Sequence, residues 1–135
     1  MYVRFYAFLL LASFCAACGD NTSSTATTPT ATITEPTFAD TLTVNGAKTK
    51  QFSTTARGTV TLTLTAVGPD SATVIGLSLG VWNGVTCQVW QDKPDANQGF
   101  SMAPLVTGVG NLCVRVYDPG TLTGPVTFSV DISHP

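Results

Sequence analysis

The feature that most constrains this chain is a period of two. Between Thr59 and Ala66 the apolar residues Val60, Leu62, Leu64 and Ala66 alternate with Thr59, Thr61, Thr63 and Thr65. Successive side chains of a strand point to opposite faces, so the stretch can bury one face and leave the other in water. Wound as a helix, it would spread its apolar residues around the whole cylinder. The β-branched Thr and Val also fit a pleated, half-buried surface. The same period recurs along the chain. Leu42 and Val44 alternate with threonines before Asn45-Gly46, a hairpin signal, and Lys48 to Thr54 reads as the return strand carrying Phe52. Val74 to Trp82 predicts a strand with Ile75, Leu77, Leu79 and Val81 on one face. Asn83-Gly84 turns it, and Val85 to Gln91 continues with Val85, Cys87 and Val89 in alternation. Asp92 to Gly99 reads as a polar loop. A segment from Phe100 to Val106 leads through Gly108 and Gly110 to Leu112, Val114 and Val116, which Pro119-Gly120 ends. Val126 to Ile132 forms the last strand, with Val126, Phe128, Val130 and Ile132 on one side. No stretch carries helical periodicity.

About seven or eight short strands separated by Gly, Pro and Asn predict an all-β domain over 38–135. The expected architecture is an antiparallel β-sandwich of jelly-roll or Greek-key type, since a parallel sheet would need helical crossovers. The formal net charge of −2 over 135 residues leaves no basic patch to attract nucleic acid or an anionic membrane surface.

Ahead of the domain lie two segments of different character. Residues 1–17 read as a signal peptide: Arg4 supplies a short positive region and FYAFLLLASF, from Phe5 to Phe14, an apolar one. That run is too short to cross a hydrocarbon core of ~30 Å at ~1.5 Å per residue. The ending Ala16-Ala17-Cys18 resembles the lipobox of bacterial lipoproteins, although Cys15 stands where that motif usually has Leu. The resemblance implies cleavage before Cys18 and acylation of its sulfur and its new amine, giving a durable membrane anchor. A simple secretory signal cut after Ala17 is the alternative. Gly19 follows the cysteine where an Asp would resemble an inner-membrane retention signal, which points to the outer membrane. Residues 18–37, rich in Thr, Ser and Pro with Ile33 as their single large aliphatic, read as a disordered tether. It could hold a domain up to ~55 Å from the membrane at ~3.1 Å per residue.

Export to an oxidising compartment gives Cys87 and Cys113 the reading of a disulfide, worth roughly 3 to 3.5 kcal/mol by restriction of the unfolded chain. Two unpaired buried thiols and a metal site are the alternatives. Strict alternation puts Cys113 opposite Leu112 and Val114, so either the bridge lies on an outer face or one strand carries a bulge.

No catalytic constellation is expected. The one histidine, His134, sits in a Ser133-His134-Pro135 tail that reads as solvated. Asp92, Asp95 and Asn97 offer oxygens that could loosely chelate Ca²⁺, but their spacing matches no EF-hand and reads as an ordinary polar loop. No metal and no cofactor are assigned. Trp82, Trp90 and Tyr117 are the candidate ligand-binding residues, because exposed flat rings stack on sugar faces or anchor a protein partner. The competing reading is that they close the sandwich edge or cover loops.

The strings Thr41-Leu42-Thr43-Val44-Asn45-Gly46, Phe52-Ser53, Gly58-Thr59-Val60-Thr61-Leu62-Thr63-Leu64 and Leu112-Cys113-Val114-Arg115-Val116-Tyr117-Asp118 together resemble the bacterial pre-peptidase C-terminal domain. That resemblance implies a jelly-roll β-sandwich with an accessory or binding role, and it carries over no catalytic residue. This chain departs from the usual setting in lacking an attached catalytic domain and in adding Cys87 and Cys113. The expectation is thus a lipid-anchored, non-catalytic binding or adhesion module of the bacterial cell envelope, holding an envelope protein or glycan. A purely structural envelope lipoprotein, or a hydrolase accessory subunit, is the alternative.

Overall fold

The computed structural model describes residues 28–135, so the expected signal peptide over 1–17 and the candidate lipidation residue Cys18 lie outside the described residues. The chain folds into β1 (Ile33–Thr34), β2 (Phe38–Leu42), β3 (Ala47–Thr54), β4 (Gly58–Thr59), β5 (Thr61–Gly68), β6 (Ile75–Trp82), β7 (Cys87–Ala96), β8 (Ser101–Met102), β9 (Leu105–Val106), β10 (Gly110–Tyr117) and β11 (Val126–His134). It is an antiparallel β-sandwich. One sheet runs β1-β11-β5-β8, with β2 also on β11, the other runs β3-β10-β6-β7, and β4 pairs with β9. The connections β2–β3, β5–β6 and β10–β11 pass from one sheet to the other.

The alternation of β5 does what its sequence demands. Val60, Leu62 and Leu64 have no exposed surface and join Phe128, Val130 and Ile132 of the neighbouring β11 and the Ile75, Leu77 and Leu79 row of β6 in the opposite sheet within one apolar core. Each such side chain contributes roughly 1.5–3 kcal/mol by leaving water. Phe128 also meets Phe38 edge to face at 5.1 Å. The period slips once: Ser129 pairs with Ala66 but Val130 with Leu64. The extra residue at Thr65 turns Ala66 outward and buries Val67 in its place.

Several sequence expectations change. Asn45-Gly46 does form a tight turn, with Asn45 at φ 57° and the Gly46 N–H donating to the Thr43 carbonyl at 2.9 Å. The strands it joins do not pair as a hairpin: β2 pairs with β11 and β3 with β10, so the turn is a corner between sheets. Turn chemistry fixes the reversal, and the second strand then finds the better-matched partner. The tether is shorter than expected at its domain end, because Ile33 and Thr34 pair with His134 and Ser133. The same pairing draws the C-terminus into the fold, and His134 is 1% exposed rather than solvated. Asp92 to Ala96, expected in a loop, continues β7.

β7 departs furthest from regularity. Its register against β6 skips between Ile75 and Leu77 and again between Leu79 and Gly80, each time placing an extra residue on β7. These bulges bend the strand. At the second, β7 leans over the outer face of β6, where Gly80 lacks the Cβ that would stand 2.4 Å from the Gln88 carbonyl oxygen. The lean explains the disulfide. β10 and β7 flank β6 and would lie roughly 9.5 Å apart in a flat sheet, yet the Cys87 and Cys113 Cα atoms are 5.7 Å apart and bridged. Both conditions raised by the alternation hold: Cys113 shares the outer face with Arg115 and Tyr117, and the partner strand is bulged.

Candidate functional site

Alternation places Val81, Val85 and Val89 in the core, and the structure leaves all three exposed. Val81 keeps the parity of Ile75, Leu77 and Leu79, but β6 there runs past the cover of the opposite sheet. A side chain can face the core side of its own sheet and still have no second layer above it.

That overhang makes an open apolar cleft of about 390 Å³. Val81 of β6, Trp90 of β7, Leu105 and Val106 of β9, and Leu112 of β10 line it, with Val109 from the β9–β10 connection. Trp90 is 46% exposed and is the residue β7 inserts where its register jumps from Gln91 opposite Leu79 to Val89 opposite Gly80. The bulge thereby aims the ring across the sandwich end. Leu105 is 56% and Val109 80% exposed, although single buried side chains of this size would each be worth ~2 kcal/mol. An unburied cluster of this kind marks an interaction surface more often than scattered exposed aliphatics do.

The three candidate aromatics do not converge. Trp82 is half-buried and lines a separate groove of about 310 Å³ with Thr49, Val85, Thr86, Cys87 and Arg115, above the disulfide. Tyr117 lies flat on Gly76, where an added Cβ would meet the ring at 2.3 Å. Its hydroxyl donates to Asp92 at 3.0 Å, and the Arg115 guanidinium carbon sits 4.7 Å from the ring centre. Desolvation, then the Asp92 hydrogen bond and charge, push the Tyr117 phenol above 10.0, against a smaller opposing pull from Arg115. Ser78 Oγ donates to the same Asp92 at 2.8 Å. The cluster is a packed structural patch, and of the three aromatics Trp90 alone carries an open apolar site.

A third hollow, about 570 Å³, lies at the other end of β6 between the β5–β6 and β10–β11 loops, lined by Thr73, Val74, Leu122 and Pro125 among others. It holds no aromatic ring. Beside it Asp118 organises the β10–β11 loop: its Oδ1 accepts the N–H groups of Gly120, Thr121 and Leu122, and its Oδ2 that of Asn45 at 2.8 Å. Desolvation pushes this carboxyl up, but the four backbone donors outweigh it and hold it below 3.8. Asp118-Pro119-Gly120 is a turn, as its sequence reads.

His134 Nε2 lies 3.1 Å from Glu35 Oε1, Nδ1 lies 3.1 Å from the Pro135 carbonyl oxygen, and the ring packs at 5.0 Å on Phe52. Both ring nitrogens are thereby engaged, Nε2 with Glu35 just after β1 and Nδ1 with the adjacent Pro135. Asp95 pairs with Lys93 at 2.7 Å, while Asp92 is taken by Ser78 and Tyr117, so the two carboxylates of the Asp92–Asn97 stretch belong to two separate networks. Among the described residues no group of three or more His, Cys, Asp or Glu side chains is arranged to hold a metal. Nor is any helix among them long and apolar enough to cross a membrane. No known family and no curated protein sequence matches the chain.

Proposed function

We propose that this chain is a non-catalytic binding module of the bacterial cell envelope, anchored through a lipidated Cys18 and working through the apolar cleft around Trp90. The observation that carries the reading is the convergence of Val81, Trp90, Leu105 and Val109, all exposed, on one open cleft. A fold of this size gains by burying such residues, and their exposure on a disulfide-braced scaffold fits a surface kept for a partner. The leader and the Thr-rich tether support an anchored exported setting, and the resemblance to the pre-peptidase C-terminal domain supports an accessory role. The engaged state of His134, Asp92 and Ser78 favours binding over catalysis.

The test pairs location with surface. Mass spectrometry of the N-terminal peptide from membranes should show an acylated Cys18. In a chain freed of the anchor by Cys18→Ser, adding Trp90→Ala with Leu105→Ser should keep the melting temperature and lose retention by washed envelope fragments. Unchanged retention would replace the binding reading with a structural one.

A further inference from the structure

Eight large apolar side chains stay exposed among the described residues, and all but Val44 lie toward one end of the sandwich. That end is where β6 finishes at Trp82, β10 begins at Gly110 and β11 finishes at His134. The Thr54–Gly110 pairing and the hydrogen bond from the Thr55 N–H to the Pro135 carbonyl tie these strand ends together. Two loop tips carry the most exposed of the set, Val85 at 79% and Val109 at 80%. Charge is arranged the same way. The connections 55–57, 83–86, 103–104 and 107–109 hold one charged residue, Arg57, and the acid beside them, Glu35, is held against His134 at 3.1 Å, whereas the loops of the opposite end hold Asp70 and Asp118. The N-terminal segment leaves from the apolar end too, since Ile33 pairs with His134.

From these three coincidences we infer that the apolar end is a lipid-docking surface, seated on the headgroup–acyl boundary of the bilayer to which the chain is tethered. The inference deepens the binding reading above and rests on it for the anchor. Residues from Cys18 to Thr28 span at most ~35 Å fully extended, so the end that the segment leaves from is held nearest the anchor, at high effective concentration of lipid. Valines on separate loop tips around an amphipathic tryptophan match the interfacial layer, where Trp is favoured and short aliphatics reach the acyl chains. With a net charge of −2 on the chain and one arginine at this end, apolar contact rather than attraction to anionic headgroups is the driving force. The acid at this end, Glu35, is held against His134, which limits repulsion from those headgroups.

The test uses the full chain with Trp82→Phe, which leaves Trp90 as the one tryptophan. It is reconstituted into phosphatidylethanolamine–phosphatidylglycerol vesicles with or without bromine on the acyl chains. Bromine should lower Trp90 emission roughly twofold, with little change on adding salt, because the ring sits at the acyl boundary. Adding Val85→Asp and Val109→Asp should abolish the quenching while the chain still sediments with the vesicles; both positions are exposed, so the fold should melt as before. A chain that sediments with vesicles but shows no quenching overturns the docking and leaves the anchor standing. A chain whose N-terminal mass shows no lipid but whose Trp90 is still quenched on adding vesicles overturns the anchor and supports the docking. Neither sedimentation nor quenching overturns both. Capture of an envelope protein or glycan in place of quenching would also overturn the lipid assignment.

Discussion

Replacing Gly80 by alanine is expected to damage the second sheet and its disulfide together. A Cβ at this position would stand 2.4 Å from the Gln88 carbonyl oxygen, 2.7 Å from the Gln88 carbonyl carbon and 2.9 Å from the Val89 Cα. Comfortable contact between carbon atoms needs ~3.5–4.0 Å, so β7 must retreat by about 1 Å. All three atoms are backbone, and no side-chain rotation relieves the clash. The same lean of β7 brings the Cys87 and Cys113 Cα atoms to 5.7 Å, so the retreat also opposes the bridge. Overpacking alone costs ~1–3 kcal/mol. Where the bridge fails to close, the unfolded chain regains the freedom of a segment whose ends are 26 residues apart, a further loss of roughly 3 kcal/mol. Against a total stability of ~5–15 kcal/mol for a small domain, that is a large fraction. The assay is urea unfolding with titration of free thiols, and Gly124→Ala serves as control, because a Cβ there meets nothing within 4 Å. The control should stay within ~0.5 kcal/mol of the parent. A Gly80→Ala protein with a fully formed disulfide and parental stability would refute the argument that a bare glycine lets β7 cross β6.

Three other outcomes follow from the geometry. His134→Ala should lower stability by ~2–4 kcal/mol in thermal unfolding, because it empties a buried site beside Phe52 and strips Glu35 of its partner. Asp118 is held below its ordinary 3.8, so its contribution is complete above that value and is lost as pH falls through the lower folded-state value. Asp118→Asn should therefore flatten the acid limb of a stability-against-pH curve below about pH 4. Spectrophotometric titration of the tyrosines should show Tyr117 ionising above 10.0, and Asp92→Asn should lower it by removing the carboxylate charge while desolvation remains.

The sandwich was legible because β5, β10 and β11 each bury one face, and burial of one face writes a period of two into the sequence. Alternation says which side of its sheet a residue faces. It does not say whether another layer covers that side, and for this reason Val81 and Val89 read as core while the structure exposes them. His134 was hidden by its position near the end, although it continues the Phe128, Val130, Ile132 parity of β11, a signal that strict alternation contains. The two-against-one registers of β7 leave no trace in hydrophobicity. Glycines inside strands were the available clue: Gly76 and Gly80 mark the places where the Tyr117 ring and the β7 backbone approach β6 too closely for any Cβ. Of the candidate site, Trp90 was visible as an unburied ring. Its neighbours Leu105 and Val109 were not, because they come from the two-residue strand β9 and the connection after it, whose placement depends on β4 and β9 meeting in space.

The central claim is that the Trp90 end is the working surface. Its most direct test is a photo-cross-linking side chain placed in intact bacteria at Val109 and, separately, at the exposed Ser71 on the opposite end. The account predicts adducts with envelope material from Val109 and none from Ser71. Adducts from Ser71 alone, or from neither position, would contradict it.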